Sequence, residues 1–414
     1  MLSRHGPTRG ATSVPMRGLE GHPRIVEAAA ARAGLHEAFI SQGLPSPYFL
    51  PHEGVSGPTI RILGRDMVNF SGYNYLGLAG HPAVVAAAKN AIDEYGTSAS
   101  ASRAVAGEIP LYAEFEGRLA AAYGVADAVT VPSGYLTNAA VIAFLLGPND
   151  LAACDALAHS SIVSGTQWAQ CRRAMFRHND PDSLDTLLTR MRGHAERVLV
   201  IVEGVYSMDG DIAALPDLIA VARKHDCLVM VDEAHSFGTL GGRGLGVREH
   251  YALAGDSVDL WMGTLSKALA SCGGFLAGSA DLIWALKLLA PGVGLYTAPA
   301  TPSQIAAASA AFDVLAAEPL RPTRLRANAA ALVSALQADG WNTGTSHGTP
   351  VVPLIIGERL KTLELSAGLL QRGVNAGAIT YPAVAEGEDR IRLFLSSEHT
   401  EDHLGTLISA LAES

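Results

Sequence analysis

Seven short apolar runs constrain this chain more than any other feature of it. They lie at residues 128–131, 150–154, 174–176, 198–202, 227–231, 258–262 and 274–277. Stretches of helical period alternate with them, at 83–95, 112–123, 136–146, 160–170, 184–192 and 215–225. A strand that is apolar throughout needs cover on both faces. Such strands, separated by helices of about ten to fifteen residues, read as a mostly parallel sheet between helical layers. After Pro299 the pattern changes. Ala-rich helices at 304–316 and 322–339 lead into strands at 351–356 and 390–394 and helices at 361–372 and 402–411, a smaller α+β region. Upstream, an Ala-rich helix over 23–40 is broken by Gly43-Leu-Pro-Ser-Pro47, and extended pieces follow at 59–62 and 67–70. The expected organisation is a disordered tail over 1–20, an N-terminal arm over 21–68, a large α/β domain over 69–298 and a small C-terminal domain over 299–414.

Composition narrows the class. The chain has 414 residues, 49% hydrophobic and 17% charged, which suits a globular protein with a large core. A formal charge of −10 argues against a broad surface for nucleic acid or anionic membrane. Cys154, Cys171, Cys227 and Cys272 form no CxxC pair, so reduced thiols are expected and no metal is. No apolar stretch reaches the ~20 residues of a membrane span. Residues 1–19 carry Arg4, Arg9 and Arg17 but no apolar signal core, so a cytoplasmic protein is expected.

Two strand ends carry chemistry. The run Cys227-Leu-Val-Met-Val-Asp-Glu-Ala-His235 delivers a carboxylate and an imidazole to the C-terminal edge of the sheet, where open α/β sheets bind ligands. The next run passes into Gly263-Thr-Leu-Ser-Lys267, a turn bearing hydroxyls and one amine. An amine to form a Schiff base, a carboxylate to keep a pyridine nitrogen protonated and a polar group for a phenolic oxygen are what pyridoxal phosphate requires. Two similar-looking motifs fail. Asp232-Glu-Ala-His235 matches a helicase acidic box, but no GxxxxGK[ST] phosphate loop accompanies it. Gly242-Arg-Gly-Leu-Gly246 lacks the third glycine of a dinucleotide fingerprint and follows a polar turn, so it reads as a flexible glycine loop.

The set Asn74-Tyr-Leu-Gly-Leu78, Tyr95-Gly-Thr97, Ser102-Arg103, the run from Glu203 to Asp211, Asp232-Glu-Ala-His235 and Thr264-Leu-Ser-Lys267 resembles the α-oxoamine synthase family. The resemblance spans residues 60–411 in the family's order. It implies the fold-type I, aspartate aminotransferase-like α/β fold and pyridoxal 5'-phosphate as cofactor. Lys267 would hold the cofactor and later act as base; Asp232 would pair with the ring nitrogen, and His235 with the phenolic oxygen. His159 would stack on the ring, and Ser207 would lie near it. Ser133, Gly134 and Tyr135, at a strand-to-helix turn, would take the phosphate together with Thr264 and with Thr297 from a second subunit, so a homodimer is implied. Arg392 would grip the amino-acid carboxylate, with Tyr73 and Asn74 in the loop beside it.

The implied reaction condenses an amino acid with an acyl thioester, on CoA or an acyl carrier protein, releasing CO2, a thiol and an α-aminoketone. An aminotransferase or C–C lyase of the same fold would use Lys267 and Asp232 in the same way. Several positions depart from the family pattern. Thr380-Tyr-Pro-Ala-Val-Ala385 stands where many members have Arg-Pro-Pro-Thr-Val-Pro, leaving a second charged substrate contact unsupported. Tyr73 replaces a common Asn and Tyr112 a common His, while Ser102, in place of Thr, favours alanine or serine over glycine. The segments 262–274 and 396–400 are similar to family members attached to polyketide pathways.

Overall fold

The computed structural model describes residues 18–413 apart from 41, 42, 44, 45 and 47. The expected tail lies outside these up to residue 17, as does part of the expected break at 43–47. The residues up to Pro51 and those from His52 onward form two compact units. In the first, Leu19–Gly21 makes a 3-10 turn and helix α1 spans Pro23–Ala38, opened by Pro23 in its first turn and by the His22 ring accepting the Arg24 N–H.

The second unit begins with strands β1 (His52–Glu53), β2 (Thr59–Ile62) and β3 (Arg65–Asn69), then helices α2 (Pro82–Tyr95) and α3 (Pro110–Tyr123). The alternating part follows: β4 (Asp127–Val131), α4 (Gly134–Leu145), β5 (Leu151–Asp155), α5 (Ser160–Ala169), β6 (Arg172–Phe176), α6 (Pro181–Met191), β7 (Val198–Glu203), α7 (Leu215–Lys224) and β8 (Leu228–Asp232). It continues through α8 (Gly246–His250), β9 (Leu260–Thr264), β10 (Gly274–Gly278) and α9 (Ala280–Leu289). The rest comprises α10 (Pro302–Ala317), α11 (Leu320–Ala338), β11 (Val351–Ile355), α12 (Arg359–Gln371), β12 (Val374–Asn375), β13 (Gly377–Ile379), β14 (Arg390–Phe394) and α13 (Glu401–Ala412).

The strands β4 to β10 form one seven-stranded sheet in the order β4-β10-β9-β8-β7-β5-β6. Only β10 runs against its neighbours β4 and β9. The C-terminal residues Val131, Asp155, Phe176, Glu203, Asp232 and Thr264 therefore share one edge, and the β9–β10 turn that carries Lys267 returns along it. Side-chain alternation divides the interior in two. Val198, Val200 and Val202 of β7 and Val229 and Val231 of β8 enter one core. Leu199, Ile201 and Met230 enter the other, with Ile142 of α4, Ile162 of α5 and Ile283 of α9. The same parity turns Glu203 and Asp232 toward α4 and α5.

Most expected elements appear with ends shifted by one or two residues. Helix α9 was not expected. Ile283 and Leu286 are buried while Trp284, Leu288 and Leu289 are exposed, so its apolar residues occupy both faces and leave no polar contrast for a periodicity to register. The pairing of β12 with β3 was also unforeseen; it joins Val374–Asn375 to the strands expected in the N-terminal arm. The glycine-rich turn is held by side-chain carboxylates. Glu249 accepts the N–H groups of Arg243 and Leu245, and Glu233 accepts that of Val247. A Cβ on Gly246, whose φ is +83°, would stand 2.2 Å from Glu233 Oε2. The four cysteines are free thiols.

Candidate active site

Strand β8 ends on Asp232, 3% exposed, whose carboxylate is fixed from two sides. Asn138 of α4 donates its amide to Oδ2 at 2.7 Å, and the Ala234 N–H donates to Oδ1 at 2.8 Å. Asn138 also donates to Ser161 Oγ at 2.9 Å, and that hydroxyl lies 2.7 Å from Nδ1 of His159, the residue that caps α5. One polar chain thus joins the carboxylate to the imidazole expected to cover a bound ring. Burial, with the nearby Lys267 and Arg392 charges, pushes His159 below its ordinary value against the pull of Asp232.

Lys267 sits where the β9–β10 turn folds back on itself, with Leu265 N–H donating to Gly273 O and Ser271 N–H to Leu265 O, each at 2.9 Å. Its Nζ lies 2.9 Å from His235 Nε2, and His235 Nδ1 lies 2.7 Å from the hydroxyl of the fully buried Tyr75. Burial lowers the Lys267 ammonium to about 8; Asp232 and Glu203 draw it up but do not win. The same burial, with Lys267 beside it, holds His235 well below its ordinary range, so the imidazole is a neutral partner. The amine thereby gives up its proton more readily than an ordinary lysine, as a nucleophile must.

At the other end of the cleft, Ser133 caps α4, its Oγ accepting the Leu136 N–H. The N-terminal turn of that helix, with its unpaired N–H groups and the positive end of its dipole, lines the cleft. A Cβ on Gly134 would stand 2.8 Å from Thr264 Oγ1, so the hydroxyl's close approach depends on glycine there. Ser133, Gly134, Tyr135, His159, Asp232, His235, Thr264 and Lys267 line one cleft of about 210 Å³.

The other expected residues lie differently. Arg392 donates to Ser207 O at 2.9 Å and leaves its buried Nε without a partner among the described residues. Arg390, two residues earlier on the same strand, is 3% exposed and paired with Asp209 at 2.7 Å and Glu388 at 2.9 Å. Ser207 contributes its backbone carbonyl to Arg392. Tyr73 is half-exposed, its ring 5.8 Å from Lys267 Nζ. Asn74 is engaged inside its own loop, donating to Ser56 O at 2.8 Å and accepting from Ala79 N–H, and does not line the cleft. Thr297 donates to Ala298 O and is likewise outside it.

The donor set fits a pyridoxal phosphate: a buried carboxylate, an amine in contact with a neutral imidazole, a helix N-terminus suited to an anion and a guanidinium nitrogen without a partner among the described residues. Tyr75, Asn138, Ser161 and Glu203 belong to this site and received no role from the sequence. Tyr75, Glu203 and Ser161 lie in the motifs around Asn74, Ser207 and His159, whereas Asn138 carries no sequence signal.

Residues 65–411 match a family model described as aminotransferase class I and II. The 8-amino-7-oxononanoate synthase 1 of Bacillus velezensis is 38% identical over 87% of this chain and 91% of its own length. The 8-amino-7-oxononanoate synthase of Treponema denticola is 39% identical over 85% and 88%. Among solved structures, a serine palmitoyltransferase holding a PLP internal aldimine has a TM-score of 0.89, 32% identity and coverage of 96% of this chain and 99% of that one. Sphingomonas wittichii serine palmitoyltransferase has a TM-score of 0.88 and 31% identity, over 96% and 98%.

Proposed function

This chain belongs to the class I and II aminotransferase family and to its α-oxoamine synthase group, and from that premise we propose that it joins alanine or serine to an acyl thioester carried by CoA or an acyl carrier protein. Its chemistry is the pyridoxal-phosphate-dependent decarboxylative condensation of an amino acid with an acyl thioester. The bound cofactor supplies an electron sink for negative charge at the amino-acid Cα.

The protein's own residues do the rest. Lys267 would hold the cofactor covalently; once released by the incoming amine, its lowered basicity suits it to take the Cα proton and return one after CO2 departs. Arg392 would orient the substrate carboxylate through the Nε left without a partner. Asp232, held by Asn138 and the Ala234 N–H, would stabilise the protonated ring nitrogen. His235 would donate to the phenolic oxygen, and His159 would cover the ring and exclude water from its face. The N-terminal turn of α4 and Thr264 would take the phosphate, with Thr297 supplied by a second copy in a homodimer.

The observation that carries this reading is the convergence of Lys267, His235 and Asp232 at the edge marked by β8 and β9. Incubating the purified protein with each amino acid and an acyl thioester tests it. Release of CO2 and free thiol together, with alanine or serine, is expected. A keto acid formed without thiol would instead mean transamination. Parallel reactions with acyl-CoA and an acylated carrier protein identify the carrier.

A further inference from the structure

Glu203 is the one carboxyl of the site with no task in that scheme. It ends β7 as the register partner of Asp232 in β8, so two acids stand side by side on one sheet face, 2% and 3% exposed. Its Oε1 accepts the backbone N–H of His159 at 2.7 Å. Among the described residues no cation is in hydrogen-bonding contact with it; Lys267 acts on it through space, while Asp232 and, to a lesser degree, Asp155 repel its charge. Asp232, by contrast, accepts two short hydrogen bonds.

We propose that Glu203 is a positioning residue for the cofactor ring: it anchors the backbone of His159 and cedes the negative charge of the paired acids to Asp232. This rests on the cofactor reading above. Two buried carboxyls in adjacent register positions oppose each other's ionisation, and the one with fewer donors is the more readily kept protonated. Burial and Asp232 hold Glu203 well above the usual carboxylate range, in the same direction. The neutral carboxyl keeps an acceptor for His159 without adding a second anion under the ring. At high pH its ionisation would place that second anion there and alter the electronic state of the ring.

The test compares Glu203→Gln, Glu203→Ala and the unaltered holoprotein. The readouts are the pH dependence of the bound cofactor's absorbance, retention of pyridoxal 5'-phosphate on dialysis, and the melting temperature of the cofactor-free forms. The unaltered protein must first show a bound-cofactor band; its absence refutes the cofactor reading itself, separately from the role of Glu203. Glu203→Gln, which keeps the acceptor, is expected to retain the neutral-pH band and the cofactor while losing the alkaline spectral change. Glu203→Ala is expected to release the cofactor about tenfold more readily. An alkaline change that persists in Glu203→Gln, or cofactor loss as great in Gln as in Ala at equal melting temperature, overturns the proposal.

Discussion

Two cations stand near the same sheet edge, and the structure treats them in opposite ways. His178 is clasped by two buried aspartates, with Nδ1 2.9 Å from Asp155 and Nε2 3.1 Å from Asp211. Asp155 is braced further by the Tyr206 hydroxyl and the Asn179 N–H, and Asp211 by the Asn179 amide. Burial works to lower His178, but the direct hydrogen bonds prevail and raise it to about 10. Lys267 has two carboxyls nearby yet only a neutral imidazole in contact, and burial takes it down to about 8. A carboxylate in hydrogen-bonding contact holds a proton on a cation; one acting through space does not offset desolvation. The first arrangement serves stability and the second serves reactivity.

The largest expected effect separates the two clusters by activity. Lys267→Ala should lower turnover by about 10³-fold or more and remove the covalently bound cofactor's band, whereas His178→Gln should leave that band in place. Retention of the band in Lys267→Ala would erase the distinction. Next, Arg392→Ala should reduce kcat/KM by about ten- to a hundredfold, chiefly through KM for the amino acid, since a charged hydrogen-bonding partner of the substrate carboxylate is lost.

The stability effects run in opposite directions with pH. The cofactor-free protein disfavours the Lys267 ammonium, and the unfolded chain binds its proton more tightly, so the penalty is complete below pH 8 and vanishes above about 10.5. Lys267→Met should therefore stabilise the cofactor-free protein by about 3 kcal/mol at pH 7, with the gain shrinking as pH rises through that window. For His178 the folded value lies above the unfolded one, so its contribution is full below about 6.5 and lost toward 10. His178→Gln should cost about 2 kcal/mol at pH 6, a figure discounted for its partial exposure, and little at pH 10. Urea unfolding of each variant across pH checks both signs; parallel pH profiles would break the contrast.

Sequence reading reached the reactive cluster more easily than the stabilising one. Asp232 and Lys267 each close an apolar run, and a charge at the end of a fully buried strand is conspicuous. His178 lies in a loop, and its two acids come from β5 and from the turn after β7, so only the folded chain brings them together. Arg390 and Arg392 share one strand face, and nothing in their spacing foretold that Asp209 and Glu388 would take the first and leave the second with a free nitrogen. Asn74 sits in a motif but turns its amide to Ser56, a long-range contact that no local pattern encodes. Likewise Asn138 and Ser161 are helix residues whose importance comes from facing the parity of β8.

Burial brings Lys267 down to about 8, where its amine can bond a carbonyl near neutral pH. Borohydride trapping of pyridoxal 5'-phosphate on the cofactor-free protein, across pH and followed by peptide mapping, tests it most directly. Label on Lys267 with a midpoint near pH 8 is expected. Label on another lysine, or a midpoint near 10.5, would contradict it.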